Sequence, residues 1–192
     1  MTNTAPAPTD IRREFALAVS VSVRVIAGVR PDQLADPTPC ADFDVRGLMN
    51  HLVMVLRRVA AMGRGESPFS VTDQVDDGRW TDEWLTAAHQ CQDAWTDERL
   101  TASIELPWTT MSGHDALAVY VSEVIVHTWD LAQATLQEAD WPHPVLEAAY
   151  AALVPQMPAT GRSDEIPFAD AVTVADDAPI LDRLIAYSGR QP

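Results

Sequence analysis

The stretch DALAVYVSEVIVHTWDLAQAT, residues 115–135, decides the fold. Turned at about a hundred degrees per residue, its apolar side chains point in almost every direction, as they do in a helix surrounded by other elements. Within it Glu123 and His127 stand four residues apart, one above the other on a single face, and Asp130 lies close to the same stripe. An ionised glutamate in such a setting is costly unless something positive faces it, so a cation, protonated or metallic, is expected against Glu123.

A partner for that face comes from the stretch RGLMNHLVMVLRRVAAM, residues 46–62, where His51 sits mid-helix among Leu48, Met54 and Val55 and is expected to face the core. If the two helices pack as neighbours, with axes roughly 8 to 10 Å apart, His51 meets Glu123 and His127 across the gap. Two histidines and one glutamate, with a fourth position left to water, are the arrangement of a catalytic rather than a structural zinc site. Iron or nickel accepts the same ligands. Plainer readings stay open on spacing alone: His51 as an ordinary core or surface histidine, or Glu123 paired with an arginine such as Arg58.

Around these two segments the chain reads as mainly helical and as one domain, residues 1–192, with residues 1–9 frayed. Asp10 caps a first helix that ends near Gly28. The segment PDQLADPTPCADFD, residues 31–44, cannot be helical through its prolines, and Asp42 or Asp44 caps the second helix, about Val45 to Met62. GRGESPFSVTDQVDDG, residues 63–78, reads as a long loop, and Thr81 as the cap of a third helix reaching about Arg99. ASIELPW predicts one brief strand or an extended connector, followed by a fourth helix over about Asp115 to Leu136 and a shorter one from Pro144 to Leu153. The tail predicts an extended piece and a last helix from Pro179 to Gly189.

Composition removes several classes of function. A formal charge of −15 argues against nucleic acid and anionic membrane, both of which need a basic patch. All thirteen basic residues are arginine, so no lysine is present for a Schiff base or a phosphate-binding loop. Two cysteines, Cys40 and Cys91, without close pairing, predict no disulfide framework and suit a reducing cytoplasm. The amino terminus lacks a signal pattern and no apolar run is long enough for a bilayer, so neither export nor anchoring is expected. Cys40, before a helix start, reads as a buried loop cysteine more readily than as a nucleophile. His89 and His143 read as surface residues, His114 as a pocket or exposed residue, and Trp108 and Trp129 as candidate pocket walls.

Three blocks together, PTPCADFDVRGLMNHL at 37–52, SEVIVHTWDLAQAT at 122–135 and PILDRLIAYSGRQP at 179–192, resemble successive parts of one family. It is the DinB/YfiT-like superfamily, specifically the metal-binding domain of mycothiol-dependent maleylpyruvate isomerase and its single-domain relatives. The resemblance implies a four-helix bundle in up-down-down-up order, with short extra helices and minor extended segments. It also implies a divalent metal, zinc first and nickel or iron otherwise, held by residues that fall on His51, Glu123 and His127.

The isomerase has an additional carboxy-terminal domain that contributes to its active site, so substrate carries over less readily than ligands. A small-molecule thiol of the mycothiol type and an electrophile are the implied partners, in thiol transfer or isomerisation. Asp130 would orient His127 or bond a metal-bound group, and Arg58 would hold a substrate carboxylate. Two alternatives stand beside this: a hydrolase using metal-bound water, and a non-catalytic metal-stabilised sensor or interaction module. A homodimer is allowed, since relatives often pair through helices.

Overall fold

The computed structural model describes residues 10–72, 74–106, 109–162 and 168–192. Trp108, a candidate pocket wall, and the residues 1–9 read as frayed lie outside them. The protein is mainly helical: α1 Ile11–Gly28, α2 Val45–Gly63, α3 Trp80–Ala94, α4 Asp97–Thr101, α5 Gly113–Thr135, α6 His143–Leu153 and α7 Ile180–Tyr187, with a hairpin of β1 Ser103–Leu106 and β2 Thr109–Ser112.

Helices α1, α2, α3 and α5 close a ring. Each of α1 and α2 packs on both α3 and α5, while α6 lies on α5 and α1 and carries α7. Leu48, Leu52 and Leu56 of α2 and Leu117, Val121, Val124 and Ile125 of α5 are almost entirely removed from water. Each such side chain contributes about 1.5–3 kcal/mol by its burial, so the four-way packing rests on them rather than on helix propensity.

Starts and stops follow local chemistry. Asp10 caps α1 through the Arg12 amide, and of the two aspartates offered for α2 it is Asp44 that accepts from the Gly47 amide, at 2.7 Å. Ser112 caps α5 through the Asp115 amide at 3.1 Å. Gly113 is required at that point, because a Cβ there would run into the backbone carbonyl of Arg99.

Two expectations are corrected. Thr81 does not cap α3, which begins at Trp80 after Arg79, with no side-chain cap bond. That helix also stops at Ala94 instead of reaching Arg99, and Thr96 caps a separate short α4 by accepting from the Arg99 amide. Trp95 is the physical reason: its indole is buried and donates to the Val59 carbonyl at 3.0 Å, which turns the chain toward α2. ASIELPW does hold a strand, but the strand has a partner, TTMS, paired antiparallel from Ser103 with Ser112 to Leu106 with Thr109.

The long connections are tied down. Arg57 donates to the carbonyls of Thr72 and Gln74 and pairs with Glu83 at 2.8 Å, fastening the loop 64–79 to α2. In the proline-rich segment the Gln33 amide donates to the Thr135 carbonyl at 3.1 Å, and Thr38 donates to the carbonyls of Cys40 and Phe43. The chain before α2 is thereby laid against α5. No helix among the described residues is long and apolar enough to cross a membrane.

Candidate metal centre

The packing of α2 on α5 brings His51 to Glu123. His51 Nε2 lies 3.2 Å from Glu123 Oε1, and His127 Nε2 lies 3.4 Å from the same oxygen. One donor atom from each of the three residues falls within 4.8 Å of the other two. The alternative partner, Arg58, does not take Glu123. The two imidazoles meet edge to face with ring centres 4.6 Å apart, and Phe43 packs on the other side of His51 at 4.9 Å. Both rings are therefore fixed by neighbours before any ligand arrives.

Burial opposes ionisation of Glu123, yet the charges and hydrogen bonds of His127 and His51 outweigh it and hold the carboxyl well below the usual carboxylate range. Burial likewise opposes charging of His127, but the Glu123 charge, then bonds to Asp130, Cys40 and Glu123, raise it well above an ordinary imidazole. Without a metal, the proton on His127 is the cation that the carboxylate demands.

A second layer lies behind His127. Its Nδ1 is 3.1 Å from Asp130 Oδ2, and Asp130, with no exposed surface, is gripped by Arg190 through Nε at 3.2 Å and Nη2 at 3.0 Å. A carboxylate can only accept, so Nδ1 carries the hydrogen and Nε2 is left to face Glu123. Asp130 Oδ2 thereby accepts from the far nitrogen of the His127 ring.

Arg190 was not singled out in the sequence. It enters from the end of the chain because Gly189, at a φ of +82°, turns the backbone inward after α7, and a Cβ at Gly189 would collide with Ala169. The Arg190 guanidinium also lies over the Phe168 ring, 5.2 Å from its centre. The nearest sequence signal is an arginine directly after a helix-ending glycine, in a chain with few cations.

Cys40 is buried, as a loop cysteine was expected to be, but it is not idle packing. Its thiol, His127 and Asp130 each offer an atom within 4.8 Å of the others, so His127 belongs to two clusters at once. His89 is exposed, as are His114 beside Asp115 and His143 beside Glu147. Trp129 is half-buried against the core.

Arg58, offered as an anchor for substrate, lies on the same α2 seam. Its Nε–H is buried without an acceptor among the described residues, and its guanidinium sits 5.3 Å from the centre of the Phe69 ring.

The donor set is two imidazoles and one carboxylate from two helices, a combination that suits zinc, iron or nickel. The half-buried carboxylate and the two rings held by their neighbours present the donor types such an ion takes.

The family described as the mycothiol maleylpyruvate isomerase N-terminal domain matches residues 15–132. Two proteins of Mycobacterium tuberculosis, from strains CDC 1551 / Oshkosh and ATCC 25618 / H37Rv and both described as uncharacterized, are each 31% identical over 176 residues, covering 86% of this chain and 90% of theirs. No solved structure matches the chain.

Proposed function

We propose, from the premise that this chain belongs to the mycothiol maleylpyruvate isomerase N-terminal domain family, that it is a divalent-metal enzyme of thiol chemistry. Its ion, zinc first, is held by His51, Glu123 and His127. The reaction is transfer of a mycothiol-type thiol to or from a small electrophile, or a thiol-assisted isomerisation. The observation that carries this reading is the convergence of His51 Nε2 and His127 Nε2 on one oxygen of Glu123, three candidate donors from two helices.

A divalent ion in this position supplies Lewis acidity that makes a thiolate available at neutral pH. The residues do the rest. Asp130 and Arg190 keep the His127 ring in one tautomer and one orientation, and Phe43 keeps His51 from rotating away. The up-down-down-up helix order belongs to the same reading. The long 64–79 connection, fastened along α2 by Arg57, is what a parallel α2 and α3 would require. The reading of residues 1–192 as one domain belongs to it as well, supported by the packing of the described helices around the ring of four.

Conjugation of mycothiol to chlorodinitrobenzene, followed by absorbance, tests the function. Turnover that needs both the thiol and a divalent ion, and that stops in His127→Ala, is the expected result. Consumption of an ester or amide at the same rate without thiol would instead identify a hydrolase. No turnover with any thiol would leave a metal-stabilised module.

The charge state of the site gives a pH prediction. His127 is raised in the folded metal-free protein, so its contribution to stability is complete below the unfolded value of about 6.5 and lost as pH rises through the folded one. Glu123 is depressed, so its contribution is present above about 4.3 and lost as pH falls through its folded value. The ion pair is therefore intact at neutral pH, and a metal must displace its proton. Zinc binding at pH 7 is expected to release about one proton per ion and to tighten about tenfold per pH unit in that range. Calorimetry in buffers of different ionisation enthalpy reads this directly; binding without proton release would remove His127 from the ligand set.

A further inference from the structure

The geometry points to a second ligand site, apart from the metal trio: a cleft between α1 and α3 that takes one small uncharged ring carrying a hydrogen-bond acceptor. This goes beyond the thiol chemistry proposed above and does not depend on a metal.

The cleft holds about 150 Å³. Its wall is made by Phe15 and Val19 of α1, Cys91 of α3, Trp95 just after it and Leu117 of α5, all almost removed from water. Its mouth is made by Arg12, Ala16 and Ala88, which keep contact with solvent. Leu117 precedes Glu123 by six residues, about one and two-thirds turns of helix, so the two lie on different faces of α5.

The polar atoms of the wall already have partners. The Trp95 indole donates to the Val59 carbonyl at 3.0 Å, and the Cys91 thiol to the Leu56 carbonyl at 3.4 Å. Burial also pushes that thiol up to about 12, so it stays protonated and uncharged at neutral pH. Water held in a cavity needs several polar partners, and among the described residues this wall offers none. An apolar group therefore displaces it with a gain in affinity. A cavity of this volume takes a ring the size of benzene. Alanine at both lips keeps it open, since a longer side chain at Ala16 or Ala88 would fill the mouth.

Arg12 meets the polar end of the ring. Its Nε and Nη2 serve Asp10 and Asp97, and Nη1 donates to the Trp95 carbonyl at 3.3 Å. The other Nη1 hydrogen has no acceptor among the described residues and is left for a ligand. Two carboxylates face this one guanidinium, so the rim holds no net positive charge for an anion. The acceptor it suits is neutral, such as an amide or hydroxyl oxygen.

Benzamide and benzoate, alike in shape and different in charge, are the probes, titrated into metal-free and metal-loaded protein with nuclear magnetic resonance shifts as the readout. Benzamide is expected to saturate with a Kd of about 1 mM and to shift signals of Val19, Ala88 and Leu117 equally in both metal states. Benzoate is expected to bind at least about tenfold more weakly. Ala16→Leu and Ala88→Leu are expected to weaken benzamide at least about tenfold while keeping the urea midpoint of wild type, because they fill a void rather than make one.

No saturation of these signals by about 10 mM benzamide, or unchanged binding in both filled variants, would overturn the proposal and leave the cleft a packing void. Equal binding of the acid and the amide would overturn the neutral ligand class. Shifts centred on His51 and His127 that vary with the metal would place the ring at the metal centre and overturn the second site.

Discussion

Arg190→Ala is expected to destabilise the protein by about 3–5 kcal/mol and to weaken divalent-metal binding by roughly 10- to 100-fold. The first effect follows from burial. Asp130 has no exposed surface, and its charge is balanced by the two bonds from Arg190. Removing the guanidinium leaves an ionised carboxylate in the core with a single imidazole donor. The second effect follows from Asp130 being the group that fixes His127. A carboxylate that must find new partners, or take up a proton, no longer holds the ring with Nε2 facing Glu123.

Urea denaturation and metal competition against a chelating indicator measure the two effects separately. Arg190→Lys keeps the charge without the fork and is expected to fall between wild type and alanine in both. A stability loss with unchanged metal affinity would make the Arg190–Asp130 pair part of the scaffold alone.

His127→Ala is expected to cost more than about 100-fold in metal affinity, since deleting a ligand exceeds loosening one. His127 is one of the three proposed donors, and the next imidazole along α5, His114, is exposed beside Asp115. His114→Ala is therefore the matched control and is expected to bind like wild type. Equal losses in the two variants would mean that the bound ion sits elsewhere on an acidic surface.

Much of this was legible in residues 115–135. Apolar residues on every side meant a central helix, and a four-residue spacing meant that Glu123 and His127 share a face; both follow from helical periodicity, which is local. His51 was legible because one polar ring among Leu48, Met54 and Val55 has few places to go except inward. The far end of the third helix was misjudged because Trp95, spaced as part of an apolar stripe, instead leaves the helix to reach the Val59 carbonyl. No local pattern encodes that choice. The strand Thr109–Ser112 was missed for a similar reason, since TTMS has no apolar alternation and owes its conformation to pairing with β1.

Behind His127, the sequence suggested Asp130 from its position on the stripe but could not suggest Arg190 or Cys40. Arg190 is 60 residues away from Asp130 along the chain and arrives through the left-handed turn at Gly189. Cys40 arrives through a proline-rich loop laid on α5 by Gln33. Contacts made by loops and chain ends depend on tertiary packing, whereas the ligand trio depends mostly on two helices and their period. The family resemblance pointed to the same three residues that the spacing offered as ligands, and not to Arg190.

The most direct test is elemental analysis by plasma mass spectrometry of untagged protein, purified without added metal, beside His51→Ala and His127→Ala. About one divalent ion per chain in wild type, absent from both variants while their helical content by circular dichroism is retained, is the result predicted here. Wild-type protein that carries no ion and takes up none of zinc, nickel or iron on titration, or variants that retain the full complement, would contradict the metal centre at His51, Glu123 and His127.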